Sequence, residues 1–493
     1  MDPISQSLLE HYQSGRPLTG GRVGSLTEDE VRKLRELWRL LLAELDADAP
    51  LPVVYGTAAD PGPDDVASLS FEPLQALSTK DREGGTGAST PAAEATPAAS
   101  ETASGASTPR KELRSGGGGG GGWLGGWWSA PASGRSTPAE DSEDNERRRM
   151  ETVQGHFTRT RGDGPVVPAE FRPLFGGSAG ARSARAVFWQ AAAQMADADS
   201  WVLRFLRARK WDVEQAMGMV RKTLQWRAGQ AIDETVYFGE ARLHHHTLDS
   251  GLAFACTVDR LGSPVFIVRV RVNVARNRTV QAIKRMLCWQ IETSQLLATG
   301  PSDGRVTILF DLSDFTRENI DTRLVRTLIT LLTNYYPETL GVVLVYVNSL
   351  LFGALWALIA PFIDPVVRAK IVMAKRPADL APFIDPDALP TEFGGRKKFH
   401  YAYTPPTAAE NARMADAAAR DAAEAHFSTA ADAYTAATRA WLGEDGALDP
   451  GACGRAAARA ALREAAVALD PYIRARTLYH RTGSIRPDHS VSL

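Results

Sequence analysis

Two ionic side chains, Glu338 and Lys370, stand at the ends of a long uncharged stretch: from Thr339 to Ile363 the only ionisable group is Tyr346, neutral at pH 7. A lysine ammonium is a compact cation suited to a phosphate oxygen, and a carboxylate accepts hydrogens from hydroxyl groups. If such a pair were buried, its charges would need each other or a ligand. A basic cluster, Arg207-Ala208-Arg209-Lys210, reads as a solvated helix end or as an anion contact. Two further patterns mimic catalytic sites. Residues Gly176 to Gly180 spell GGSAG, the G-x-S-x-G spacing that would make Ser178 a nucleophile, but that motif works only between a strand and a helix. The preceding AEFRPLF holds a proline and no strand run, so the match is coincidence of spacing. His244, His245 and His246 are consecutive, diverge in direction and have no second cluster to complete a metal site, which argues a loop or strand entry.

The elements that must position Glu338 and Lys370 follow from the pattern between them. Val342 to Val347 is short and β-branched, as a buried parallel strand should be. Asn348 and Ser349 supply turn and helix N-cap chemistry, and Leu350 to Ile363 is a short, very apolar helix with Pro361 in its last turn. Strand, turn and helix therefore replace the membrane span that hydropathy alone would flag. Upstream, Leu252 to Val258 and Val265 to Val272 flank a turn at Arg260 to Pro264 and predict an antiparallel hairpin. A helix over Val280 to Ala298, a strand over Val306 to Asp311 and a helix near Asn319 to Thr333 come next, and a last strand, Ile371 to Met373, follows the apolar helix. This alternation implies parallel pairing with right-handed crossovers, and an α/β fold. A helix apolar all round suits an interior, a bilayer, or a surface that alternates between them.

Three ordered motifs carry a resemblance to the CRAL-TRIO lipid-binding domain of the secretory phosphatidylinositol-transfer family. They are LRFLRARKWDVEQA at Leu203 to Ala216, YYPE at Tyr335 to Glu338 with the apolar helix and DPVVRAK at Asp364 to Lys370, and LPTEFGG at Leu389 to Gly395. The likeness runs from about Asp197 to Gly395. Leu26 to Leu45 and DPYIRAR at Asp470 to Arg476 resemble an N-terminally extended fungal subgroup.

The resemblance implies a mostly parallel sheet floor with flanking helices, preceded by an all-α module, and a non-catalytic protein that exchanges phosphatidylinositol between membranes. It implies that Glu338, Lys370 and Arg209 form the headgroup site, with Lys210 a weaker member. Leu351, Phe352, Leu355, Trp356, Ile359 and Phe362 would be the mobile lid, and Val306 and Ile308 would lie on the pocket floor. Best-studied members use hydroxyl residues at these two floor positions to hold phosphatidylcholine; here they are apolar, and Thr307 should point to the other face. A second ligand, if any, would be an apolar one such as a sterol or polyprenyl hydrocarbon. No cofactor beyond the bound phospholipid is implied; some relatives bind haem, and nothing here singles out a haem ligand. Expected partners are a transiently touched membrane surface and an inositol-lipid kinase, at the cytoplasmic face of endoplasmic reticulum, Golgi or endosome. The alternative is a lipid-gated adaptor that retains its lipid.

Composition agrees with a partly folded chain of two or three domains: 493 residues hold 42 Gly and 29 Pro, and a formal net charge of −2 gives no global attraction to nucleic acid or anionic membrane. Cys256, Cys288 and Cys453 are odd in number and lack C-x-x-C spacing, as in a reduced, intracellular protein, and the N-terminus lacks a signal-peptide pattern. The expected domains are residues 1–46, with an amphipathic helix opened by a Thr27/Glu30 capping box; 47–186, a disordered linker; 187–240, the helical module; 241–400, the lipid-binding domain; and 401–493, an Ala-rich helical extension. The helix is expected to dock on the lipid domain or to meet an outside partner, and the extension to pack on the lipid domain, with Arg455, Arg459 and Arg463 along one face. In the linker, Trp123, Leu124, Trp127 and Trp128 suit a membrane interface or the folded domain. Ser-Thr-Pro triplets at Ser89, Ser107 and Ser136, with Thr96-Pro97, are open to proline-directed phosphorylation.

Overall fold

The computed structural model describes residues 9–12, 14, 20–54, 170–178, 180–193, 195, 197–243, 245–273, 280–298, 302, 304–347, 356, 363, 365–407, 409–443 and 449–493. Strands β1 (Pro50–Pro52) and β2 (Ala181–Ser183) form an antiparallel ribbon. The expected linker is thus folded at both described ends; the tryptophan group and the Ser-Thr-Pro triplets lie outside the described residues.

The main sheet contains β3 (Ala253–Val258), β4 (Pro264–Arg269), β5 (Val306–Asp311), β6 (Leu340–Tyr346) and β7 (Ile371–Ala374), in that spatial order. The β3–β4 pair is an antiparallel hairpin and the other pairs are parallel. Asp259 shapes the hairpin turn, its Oδ1 accepting from the Leu261 and Ser263 backbone at 2.9 and 2.8 Å. When parallel strands follow one another in order with right-handed crossovers, the connecting helices fall on one face. Helices Val280–Leu297 and Thr322–Asn334 are those connections.

Strand alternation sorts the side chains between the two faces. Val265, Ile267, Leu309, Val342 and Leu344 turn to the back, where Leu380, Phe383, Ile384, Leu389 and Phe393 cover them. Phe266, Val306, Ile308, Val343 and Val345 turn to the helix side. Thr307 lies on the back face as expected: its hydroxyl donates to Asp259 Oδ2 at 2.6 Å. The same oxygen accepts from the Tyr12 hydroxyl at 2.9 Å, so residues from the start of the chain close this face.

A second core is all-helical. Helix Glu28–Ala47 has the expected capping box, with Thr27 N–H on Glu30 Oε2 at 2.8 Å and Glu30 N–H on Thr27 Oγ1 at 3.3 Å. Its stripe Leu34, Leu37, Trp38, Leu41, Leu42 and Leu45 is buried against helices Ala184–Ala192, Ala198–Ala208, Val213–Gly229 and Ala417–Gly443. This corrects the expected docking on the lipid domain: the stripe meets the helical module and the C-terminal extension instead. A buried ionic knot fixes the register. Arg455, 0% exposed, pairs with Asp199, also 0% exposed, at 2.7 Å, and the Trp38 indole donates to Asp199 Oδ1 at 2.7 Å. Arg455 also donates to the Tyr434 hydroxyl at 2.8 Å, and Arg459 pairs with Asp197 at 3.1 Å. Arg455 and Arg459 share a face as their spacing predicts, and Arg455 lies wholly within the core.

Beyond helix Arg455–Ile473 the chain returns to the sheet. The Tyr479 hydroxyl accepts the Ala255 N–H at 2.8 Å beside a β-bulge in β3, and Tyr479 and Ile485 join the helix-side cluster. The extension therefore packs on both cores, where packing on the lipid domain alone was expected.

Candidate functional site

The helix-side face of the sheet is not filled. A cavity of about 380 Å³ lies over it, floored by Phe266, Val268, Val306, Ile308, Val343 and Val345, and walled by the 280–297 and 322–334 helices. Helix Thr322–Asn334 explains how an amphipathic segment can border empty space. Asp321 caps it, yet only Thr327 and Leu331 are buried within it, while Leu324, Leu328, Ile329 and Leu332 line the cavity. Leu324, Leu328 and Leu332 are only partly covered by their neighbours, and apolar surface left partly open in this way is a standing attraction for an apolar ligand.

Two charged groups share one end. Glu338 sits in the turn just before β6 and Lys370 just before β7; because β6 and β7 are parallel neighbours, both residues occupy the N-terminal edge of the sheet. Both line the cavity and are half-buried. The Lys370 ammonium donates to the Leu340 carbonyl at 2.9 Å, so its stem runs back along the start of β6 towards the Glu338 turn. Glu338 has φ +58°, a left-handed conformation. Arg209, the C-cap of helix Ala198–Ala208, also lines the cavity. Lys210 has φ +51°, is exposed and stands outside the lining. Of the residues expected to form a lid, Trp356 lines the cavity, as do Ile363 and Val367, and the Arg368 guanidinium lies 5.9 Å from the Trp356 ring centre. Leu351, Phe352, Leu355, Ile359 and Phe362 lie outside the described residues.

Sequence reasoning missed a second polar pole. Asn273, Asn319 and Asp321 line the cavity beyond the C-terminal ends of β4 and β5; Asn273 Nδ2 donates to the Asn319 carbonyl at 2.8 Å and Asn319 Nδ2 to the Asn273 carbonyl at 2.9 Å. Gln290, in the wall, donates to the Ala253 carbonyl at 2.9 Å. These residues fall outside the quoted motifs, and no spacing in the sequence singles them out.

The residues that mimicked catalysis are placed otherwise. Ser178 is exposed in an isolated bridge with Ala181, and its hydroxyl accepts the Ala181 N–H at 3.1 Å, so it occupies no strand-to-helix elbow. His245 opens a short helix, His245–Asp249, and His244 lies outside the described residues. Among the described residues there is no group of three or more potential metal ligands. Cys256 and Cys288 are buried thiols, each pushed up to about 12 by that burial. No helix among the described residues is long and apolar enough to cross a membrane.

Residues 248–395 match the CRAL/TRIO domain, and residues 167–222 match the CRAL/TRIO N-terminal domain. A CRAL-TRIO domain-containing protein of Schizosaccharomyces pombe is 32% identical over 314 residues, covering 63% of this chain and 70% of that protein. The chain belongs to the CRAL-TRIO family. The phosphatidylinositol transfer protein CSR1 of Eremothecium gossypii is 31% identical over 303 residues, 58% of this CRAL-TRIO chain and 68% of that one. The SEC14 cytosolic factor of the same organism is 29% identical over 224 residues, covering 40% and 69%. Among solved structures, the crystal structure of Sfh5 aligns over 42% of this chain and 78% of its own, at a TM-score of 0.35 and 18% identity. The CRAL-TRIO matches cover the whole sheet and the helical module as far as residue 222, and both parts contribute residues to the cavity lining.

Proposed function

We propose that this protein binds phosphatidylinositol in the cavity and exchanges it between membranes. The carrying observation is the combination of an apolar void with Glu338 and Lys370 at one end of it and Arg209 on its lining. A phospholipid holds on the order of 30 methylenes, so moving it into water at about 0.8 kcal/mol each costs roughly 25 kcal/mol. An equally apolar cavity removes nearly all of that cost, and the headgroup contacts then decide which lipid is taken. In this reading the Lys370 ammonium leaves the Leu340 carbonyl for the lipid phosphate, Arg209 adds a second cation, and the Glu338 carboxylate accepts inositol hydroxyls. The exposed Lys210 serves as a peripheral cation.

The segment from 350 to 363, with Trp356 and Ile363 on the lining, acts as the lid that admits the lipid at a membrane surface. Exchange takes place at organelle membranes, where the protein also presents its lipid to an inositol-lipid kinase. With Val306 and Ile308 on the floor, phosphatidylcholine has no hydroxyl partners at those positions, and any second ligand is apolar. The chemistry described needs no nucleophile and no general base.

The test is transfer by the full chain of pyrene-labelled phosphatidylinositol from quenched donor vesicles to acceptor vesicles. Catalytic amounts should empty the donors, while labelled phosphatidylcholine is moved poorly. Stoichiometric extraction without delivery would favour the lipid-retaining adaptor, and no extraction at all would refute lipid binding.

A further inference from the structure

The turn that carries Glu338 is held from outside the sheet. On its N-terminal flank the Tyr335 ring stacks on Trp226, with centroids 4.3 Å apart and planes 10° apart. The buried Tyr336 hydroxyl donates to Glu292 Oε1 at 2.7 Å. Glu292 is itself gripped by Arg227 at 2.7 and 3.2 Å, one contact to each carboxylate oxygen. Burial raises the Glu292 carboxyl, yet Arg227 holds it below the usual carboxylate range, so it stays an acceptor. On the other flank Arg204 donates to Thr339 Oγ1 at 3.3 Å and to Gln295 Oε1 at 2.9 Å. Room for that guanidinium depends on Gly304, where a Cβ would stand 1.7 Å from Arg204 Nη2. Trp226, Arg227 and Arg204 all belong to the helical module.

Glu338 between these anchors has φ +58°, which a residue with a side chain keeps only where its surroundings hold it. A buried Arg–Glu pair is an expensive way to join two helices, because apolar side chains of the same volume do it as well. What the pair supplies instead is direction: a Glu292 with both oxygens fixed leaves the Tyr336 hydroxyl one place to bond. We infer that Arg227, Glu292 and Tyr336, with Arg204 and Thr339 on the opposite flank, are positioning residues that aim the Glu338 carboxylate and so set headgroup preference. Trp226, Arg227 and Arg204 of the helical module thereby take part in lipid selection from behind the turn. This deepens the function proposed above and rests on Glu338 being a headgroup ligand.

The experiment uses the full chain and phosphatidylcholine donor vesicles carrying either pyrene-labelled phosphatidylinositol or pyrene-labelled diacylglycerol, which has the chains without the inositol phosphate. Tyr336→Phe removes one oxygen and should weaken phosphatidylinositol uptake about tenfold, the scale of one hydrogen bond to a charged group, with diacylglycerol uptake unchanged. Thr339→Val, on the other flank, should give the same selective loss. In a Glu338→Gln background neither change should lower uptake further. The proposal is overturned if both lipids lose uptake equally, or if the losses add to that of Glu338→Gln. A selective loss in Glu338→Gln with none in Tyr336→Phe or Thr339→Val defeats the positioning role alone. Undiminished preference in Glu338→Gln itself defeats the headgroup site and the positioning role with it.

Discussion

Replacing Lys370 by methionine isolates the charge from the packing. The stem of Lys370 lies beside Leu340, Val343 and Ile371 on the cavity wall, and methionine keeps an unbranched chain of similar length there. The fold loses one ammonium-to-carbonyl bond of 2.9 Å to Leu340, half-buried, so stability should change by no more than about 1 kcal/mol. The ligand loses more. A hydrogen bond from an ionised donor to a phosphate contributes about 1.5–3 kcal/mol, which weakens binding roughly 10- to 150-fold. Because the acyl chains carry no charge for the Lys370 ammonium to meet, the effect should fall on anionic headgroups alone. Lys370→Met should therefore lower phosphatidylinositol uptake from vesicles by that factor, leave diacylglycerol uptake intact and leave the urea midpoint nearly unmoved. Phosphatidylinositol uptake within twofold of the unaltered protein, with the fold intact, would refute the reasoning.

Ile308→Trp places an indole on the cavity floor and should exclude a two-chain lipid while the unliganded protein keeps its thermal midpoint; full lipid occupancy by native mass spectrometry would contradict it. Asp199→Asn leaves the fully buried Arg455 without its anion and should cost about 3–5 kcal/mol of stability in urea titration. Adding Arg455→Met should recover most of that loss, and a single-variant loss under 1 kcal/mol would show the knot to be dispensable. His480 is held at about 3, below its usual 6.5, by burial and by Arg476 and Arg474, against the pull of Asp470. The unfolded chain takes up a proton at His480 below pH 6.5 and the folded chain does not until near 3. Stability should therefore fall as pH drops from 6.5 towards 5, by up to about 1.4 kcal/mol per pH unit. His480→Gln should flatten that slope in pH-dependent urea denaturation, and an unchanged slope would assign it to other groups.

What could be read from sequence was whatever is local or periodic. The alternation that sends Ile308 to the cavity and Thr307 to Asp259 is a two-residue repeat, and the Thr27/Glu30 capping box is a three-residue spacing. The sheet order follows from strand and helix alternation with the handedness rule. What could not be read depends on residues far apart in the chain. Arg455 and Asp199 are 256 positions apart, and an Ala-rich helix gives no pattern strong enough to show which arginine is core. The spacing shows Trp38 as one member of a stripe, but the partner of that stripe is set by Asp199 and Tyr434, which no spacing rule connects to it. Tyr12 reaches Asp259 across 247 positions, and Tyr479 reaches Ala255 across 224. At the site, Glu338 and Lys370 could be placed near one another because each immediately precedes a parallel strand. The exposure of Lys210 turns on a left-handed backbone after the helix, and sequence gives no sign of that.

The central claim is that the void over β4, β5, β6 and β7 holds a phospholipid by its chains and an inositol phosphate by its rim. Native mass spectrometry of the full chain after equilibration with vesicles of mixed phospholipids, followed by extraction and identification of the bound lipid, tests it most directly. One phosphatidylinositol per chain is the predicted result, reduced in Lys370→Met and excluded by Ile308→Trp. A chain that remains at its bare polypeptide mass, or that takes up phospholipids in proportion to their abundance in the vesicles, would contradict it.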